Sequence, residues 1–434
     1  MRTTCTSGWR TTTLFAMAIS LSTVATAAGL NRAQTGTGDA ANATTTIPQW
    51  VRTGDLYTPR SRHTATRLLN GDVLLVGGAF FGRSDVVLDT VELYGETSGS
   101  WTYGGDLMRG RLGHTATLLR DGTVLVAGGE RVFAGASAEI YDPVARTSNF
   151  TGNLLASRAQ HTATLLHDGR VLIAGGDTSG LGVTTEVYDP TTRTWSATGN
   201  LRIPRSGHTM TQLANGKVLV TGGSVLVAEL LDEEFYEPTE TAELYDPASG
   251  AWTFVDSFTA PRSAHTATLL DDGRVLVVGG FTSSFFSTGS SNSGLLSTAE
   301  IFDPRTATWT MTSGLPETRG NHNATLLPNG EVLITGGNTE GSVPGTVATP
   351  TSGSLVYNPW LSTWRSVGAL EPARWEDTVT LLANGKVLAA GGRTFGQGGD
   401  VEYLDRAFLL EPGFSIDAGI TGTWYDPNQP GHGL

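Results

Sequence analysis

The sequence predicts an all-β chain: seven four-stranded antiparallel sheets in a closed ring, sealed by the N-terminal strand. Three observations predict it. One unit recurs seven times at fixed internal spacing, and each copy holds four short β-rich runs divided by turn signals. Glycine numbers 56 of 434 residues while charged residues make up only 16%, a composition of many turns and few exposed helices.

Each copy opens on Arg-x-x-His: Arg60/His63, Arg111/His114, Arg158/His161, Arg205/His208, Arg262/His265 and Arg319/His322. The seventh copy is Arg374/Asp377, with aspartate in the histidine place. A diglycine lies 14 residues after the fourth position, from Gly77-Gly78 to Gly391-Gly392. Between them run two strands, HTATLL and VLIAGG in the third copy, joined by Asp-Gly or Asn-Gly. That pair predicts a two-residue type I′ hairpin turn, in which both central residues take positive φ. A Glu-x-aromatic-Asp-Pro step, as at residues 186–190, is the third strand, and Asp-Pro opens the next turn. The fourth strand carries Trp101, Trp195, Trp252, Trp309 or Trp364 seven residues after the aromatic, with Ser148 in the second copy. The next arginine follows ten residues later, so each unit is a meander of strands a to d.

In the seventh copy the first three strands fall at residues 377–382, 387–392 and 407–410, but Asp417 stands where tryptophan belongs. Trp50 lies ten residues before Arg60, the spacing of every other copy. Residues 47–53 are therefore predicted as the fourth strand of the last sheet, joining the two ends.

Across residues 47 to 412 the Arg-x-x-His step, the diglycine, the Glu-x-Tyr-Asp step and the spaced tryptophan resemble kelch repeats. The HTATLLxDGxVLxxGG wording is similar to bacterial kelch proteins and to the propeller domain of galactose oxidase. The resemblance implies a seven-bladed kelch-type β-propeller. Small sheets that cannot bury both faces alone do so by stacking around an axis.

Residues 1–27 read as a signal peptide. Arg2 and Arg10 precede a short apolar run at 14–24, and Ala25-Thr26-Ala27 is a small-residue cleavage signal. The expected location is secreted or periplasmic. Residues 28–46 read as a flexible leader, and 413–434 as a tail or the start of a further β domain. The one cysteine, Cys5, leaves with the signal, so the mature chain has no disulfide, thiol nucleophile or cysteine-based metal site. Net charge is −13, a surface that repels nucleic acid and anionic membranes. No cofactor is expected, and the chain is expected to be a monomer.

A catalytic base is needed once, whereas the histidine recurs six times, so the repeat histidines read as structural anchors. The seven arginines face five glutamates, Glu92, Glu139, Glu186, Glu243 and Glu300, in expected charge-assisted bonds. The diglycines lack the Lys-Ser/Thr of a phosphate loop and read as strand ends, and the tryptophans as packing between blades.

Function is expected where the copies differ. Only the segment from diglycine to tyrosine position varies in length, from 12 to 22 residues, so the b–c loops decorate one face. They hold Phe80-Phe81, Phe133, Glu233-Glu234-Phe235-Tyr236, Phe285-Phe286 and Phe395, with Trp375-Glu376-Asp377 beside them. Exposed, these aromatics and carboxylates would bind a carbohydrate or a protein; folded back, they would pin the loops. The acidic run at 229–237 has no EF-hand-like ligand order. The alternative that the resemblance implies is a copper oxidase, with a tyrosine joined to cysteine, a second tyrosine and two histidines on the metal. The missing mature cysteine and the absence of metal-spaced histidines disfavour it; His167 sits at a turn and His432 in the tail. A lyase or epimerase using Glu376 or Asp377 as base is a third reading.

Overall fold

The computed structural model describes residues 47–81, 85–129, 135–176, 182–230, 233–282, 294–340, 349–396 and 398–411. The expected signal, leader and tail, together with Phe133, Phe285 and Phe286, lie outside the described residues, as do the side chains of Phe81 and Phe235.

Among the described residues there is no helix, and seven four-stranded antiparallel sheets form the blades of a propeller. Blade 1 is Thr64–Arg67 (strand a), Val73–Val76 (b), Thr90–Gly95 (c) and Ser100–Asp106 (d), paired in that order. The a strands of successive blades are neighbours in an unbroken cycle, which places them innermost. The b strands are fully buried, as Val73–Val76 shows, because a b strand is covered on both faces by adjacent blades.

The core lies between blades. Leu74, Val76, Val91 and Leu93 of blade 1 pack against Leu118, Val124, Val126 and Tyr141 of blade 2. Each such residue, removed from water, contributes about 1.5–3 kcal/mol. The tryptophans cross the same boundary. Trp101 Nε1 donates to Gly54 O at 2.8 Å, and Trp195 Nε1 to Gly152 O at 2.8 Å, each oxygen following strand d of the preceding blade.

The a–b turns differ from expectation. Gly71 has φ +92°, but Asn70 does not enter the positive region, so the turn is not type I′. Gly71 N donates to Leu68 O and Leu68 N to Asp72 O, a three-residue loop with glycine alone left-handed. Asn70 is selected for another reason: its Oδ1 accepts from Asp72 N at 3.1 Å, and Asp121 does the same for Thr123.

Blade 7 joins the two ends of the ring. Trp50–Arg52 pairs with Ala407–Leu410, in the register Trp50 to Leu410 and Arg52 to Phe408. Among the described residues four b–c loops form hairpins of their own: Ala79–Phe81 with Asp85–Val87, Ser224–Leu230 with Glu233–Pro238, Asn338–Thr339 with Thr349–Pro350, and Arg393–Phe395 with Val401–Tyr403. Bridges such as Ser61 to Ala79 and Trp375 to Arg393 tie these loops to the d–a connections, so both emerge on one face.

Deleting residues 47–53 should therefore leave blade 7 a three-stranded sheet with an exposed edge. We expect the melting temperature to fall by roughly 5–10 °C in calorimetry; an unchanged melt would place the closure elsewhere.

Candidate functional site

The loop face is built on a buried arginine in each blade. Arg60 Nη1 donates to Gly77 O (3.0 Å) and Thr90 O (3.1 Å), and its Nη2 to Thr90 Oγ1 (3.0 Å) and Glu92 Oε1 (2.6 Å). Glu92 Oε2 in turn accepts from Tyr57 N at 2.8 Å. The pairs Arg111–Glu139, Arg158–Glu186, Arg205–Glu243 and Arg262–Glu300 repeat this, with the side chains almost wholly buried. Burial pushes the guanidinium pKa down at Arg60, Arg111, Arg205 and Arg262, and the paired glutamate pushes it back up.

Blades 6 and 7 have no glutamate there; Leu355 and Phe408 take its place. Arg319 instead pairs with Glu317 in its own loop. Arg374 lies 4.9 Å from the centre of the Phe408 ring and donates to Gly391 O at 3.1 Å. Burial lowers its pKa to about 10, and Asp377 is the main charge opposing that fall.

The histidines join neighbouring blades. His63 Nε2 meets Thr378 Oγ1 at 2.9 Å, His114 meets Thr64 at 3.0 Å, and His161 meets Thr115 at 3.1 Å. His208, His265 and His322 reach Thr162, Thr209 and Thr266 in the same way. At the seventh junction both partners are exchanged: Asn323 Nδ2 donates to Asp377 Oδ1 at 3.0 Å. The diglycine makes room for the ring. A β-carbon on Gly128, at φ +68°, would lie 2.6 Å from His161 Cε1. Burial drives the pKa of His114, His208 and His322 down to about 3, and His63, His161 and His265 likewise go well below the ordinary value. Burial pushes Asp377 up to about 6, against the pull of Arg374.

One position earlier, a circlet surrounds the axis. Arg62, Gly113, Gln160, Gly207, Ala264, Asn321 and Glu376 all have positive φ, between +49° and +63°. Gln160 N donates to Gly113 O, Gly207 N to Gln160 O, Ala264 N to Gly207 O, Asn321 N to Ala264 O, and Arg62 N to Glu376 O. The left-handed backbone turns each connection into strand a and costs non-glycine residues of order 1 kcal/mol. The backbone of this circlet is uniform while its side chains vary from blade to blade.

The predicted cluster of blade 7 abuts the circlet. Glu376 binds Arg62 of blade 1 at 3.1 Å and Arg393 at 2.7 Å, and the Arg393 guanidinium lies 5.0 Å from the Trp375 ring centre. Trp375 packs on Phe395 at 5.1 Å and is only 7% exposed, the folded-back one of the two arrangements the sequence left open. Phe395 remains 42% exposed. Phe80 sits edge-on to Tyr403 at 5.6 Å across the junction of blades 1 and 7. Tyr236 stands apart, in the blade 4 hairpin opposite Leu226. The aromatics of the 1–7 junction thus pin loops, while the circlet, which the sequence did not reveal, presents the variable groups.

The opposite face is made of a–b and c–d turns. A cleft of about 520 Å³ lies there between blades 2 and 3, lined by Arg120, Asp121, Asp168, Arg170, Asp189 and Thr191.

A ring of seven such sheets around a variable mouth defines a kelch-type propeller. A model of the KLHDC2/KLHL20/DRC7 Kelch-repeats domain matches residues 160–392, and the chain belongs to this Kelch-repeat family. No curated protein matches it. Among solved structures, the chain is similar to a fungal alcohol oxidase of the AA5 family determined in complex with copper. The TM-score is 0.66 and the identity 17%, over 84% of this chain and 76% of that one, a likeness of fold. The described residues do not fit a copper centre. No group of three or more His, Cys, Asp or Glu among them is placed to hold a metal, and the anchor histidines each commit Nε2 to the neighbouring blade.

The histidines also set an acid limit. The folded state refuses protons that the unfolded chain accepts below pH 6.5, so their contribution is complete above that pH and is lost as pH falls toward 3. Asp377 acts in the opposite sense, its ionisation being disfavoured by folding and relieved below pH 6. Six groups outweigh one. We expect stability in urea to fall as pH is lowered from 7 to 5; a flat profile would mean that the rings are solvated.

Proposed function

We propose that the chain is a binding module that recognises a protein partner through the loop face, around the mouth of the ring. Kelch domains generally mediate protein binding. The observation that carries the reading is the circlet: a backbone fixed at seven equivalent places that displays Asn321, Glu376 and Arg62 on three consecutive blades, Gln160 between Gly113 and Gly207, and Ala264 next to Gly207. The b–c hairpins rise around it and enlarge the surface a partner would meet. Aromatic and arginine side chains on a rigid support are the usual anchors of such contacts. Export to the periplasm or outside the cell, from the N-terminal signal in the sequence, is part of the proposal.

A peptide library displayed on phage and panned against the immobilised chain tests it. Selected peptides should lose at least tenfold in affinity for Gln160→Ala/Asn321→Ala, a variant whose fold is protected because alanine already occupies the equivalent position 264. Copper-dependent peroxide release from sugars or alcohols, or peptides indifferent to those substitutions, would overturn the reading.

A further inference from the structure

We propose that the turn face carries a carbohydrate-binding site between blades 5 and 6, where Trp360 stacks on a pyranose ring and Asp271 accepts its hydroxyl hydrogens. On this face the a–b turn of one blade meets the a–b and c–d turns of the next at the 7–1, 2–3 and 5–6 boundaries. Between blades 2 and 3 they enclose the cleft described above, with Arg120 and Thr191 at its lip. Between blades 5 and 6 the equivalent residues are Asp271 and Trp360. The other described copies of position 360 are Thr97, Val144, Thr191, Ala248 and Arg305, so this is the one aromatic among them.

The two groups converge. A β-carbon built on Gly330 would lie 2.5 Å from Trp360 Cη2 and 2.7 Å from Asp271 Oδ2, so indole edge and carboxylate flank a single point. Trp360 nevertheless stays 63% exposed, beside Leu361 at 70%. Its turn is held before any ligand arrives: Asn358 Oδ1 accepts from Trp360 N (3.1 Å) and Leu361 N (2.9 Å), and Asn358 Nδ2 donates to Glu331 Oε1 (3.2 Å). Glu331 is fixed in turn by Arg365 at 2.6 Å. A rigid aromatic loses little entropy on binding.

A lone exposed hydrophobic residue needs no explanation, but here it has a polar complement. Asp271 makes no hydrogen bond among the described residues, and partial burial, then the neighbouring Asp272, raises its pKa. Such an oxygen gains from a hydroxyl donor. The adjacent Asp272 is already committed to Arg274 at 2.6 Å, which occupies that cation. A neutral ring with one apolar face and a rim of hydroxyls matches both groups.

Titrating the full chain with cello-, manno- and galacto-oligosaccharides, followed by tryptophan fluorescence and calorimetry, tests this independently of the loop face. At least one series should bind saturably with a Kd of roughly 10 μM to 1 mM. Trp360→Ala should weaken it at least tenfold, Trp360→Phe should keep part of the affinity, and Asp271→Asn should weaken it several-fold with an unchanged melt. Gln160→Ala/Asn321→Ala should bind sugar as wild type does. Failure of every series to bind, binding that survives Trp360→Ala, or a peptide occupying this site in place of sugar would overturn the inference.

Discussion

The fold depends on satisfying one buried guanidinium per blade. Arg60 alone gathers the end of strand b through Gly77 O, the start of strand c through Thr90, and strand c itself through Glu92, which then holds the incoming chain at Tyr57 N. Removing one partner of such a pair leaves an uncompensated buried charge and costs about 3–5 kcal/mol. Because both ends of the b–c connection are clamped, extra length there can only leave the blade as a loop. The hairpins of the decorated face follow from that clamp. Elsewhere the spacing is nearly invariant, since any insertion would move an arginine away from its acceptors.

Much of this was legible in the sequence. Seven copies at fixed spacing are enough to give the blades, the closing strand and the five arginine–glutamate pairs. The seventh copy departs from the others in an informative way. Where aspartate stands in place of histidine, the glutamate partner of the arginine is missing too. Phe408 offers Arg374 a ring face but no charge, and Asp377 is the main charge opposing the effect of its burial. A carboxylate only accepts hydrogen bonds, so its neighbour must donate, and Asn323 replaces the threonine of every other copy. That signal was present in HNATLL against HTATLL. It becomes meaningful only once strand a of one blade is known to face the anchor of the next.

The rest was hidden for physical reasons. Asn-Gly and Asp-Gly serve a type I′ turn and a three-residue loop equally well, and what decides is whether the first residue takes positive φ or caps the backbone two residues on. Trp375 could not be assigned as exposed or folded back without the position of Arg393, 18 residues away. The circlet escaped notice because its uniformity is conformational: Arg, Gly, Gln, Ala, Asn and Glu share one left-handed backbone and no side-chain property.

The two faces are therefore free to vary in different ways, and that difference bounds what each can recognise. On the loop face the clamp permits changes of length, so whole hairpins can be added and a surface of protein-binding size can be assembled. On the turn face each a–b connection is held to a few residues by its left-handed glycine, and the turns are capped by Asn or Asp side chains such as Asn70, Asp121, Asp189 and Asn358. Variation there is confined to single side chains in a cleft the width of two turns. A site on that face must be small and read by one or two residues, as Trp360 and Asp271 would read one sugar ring.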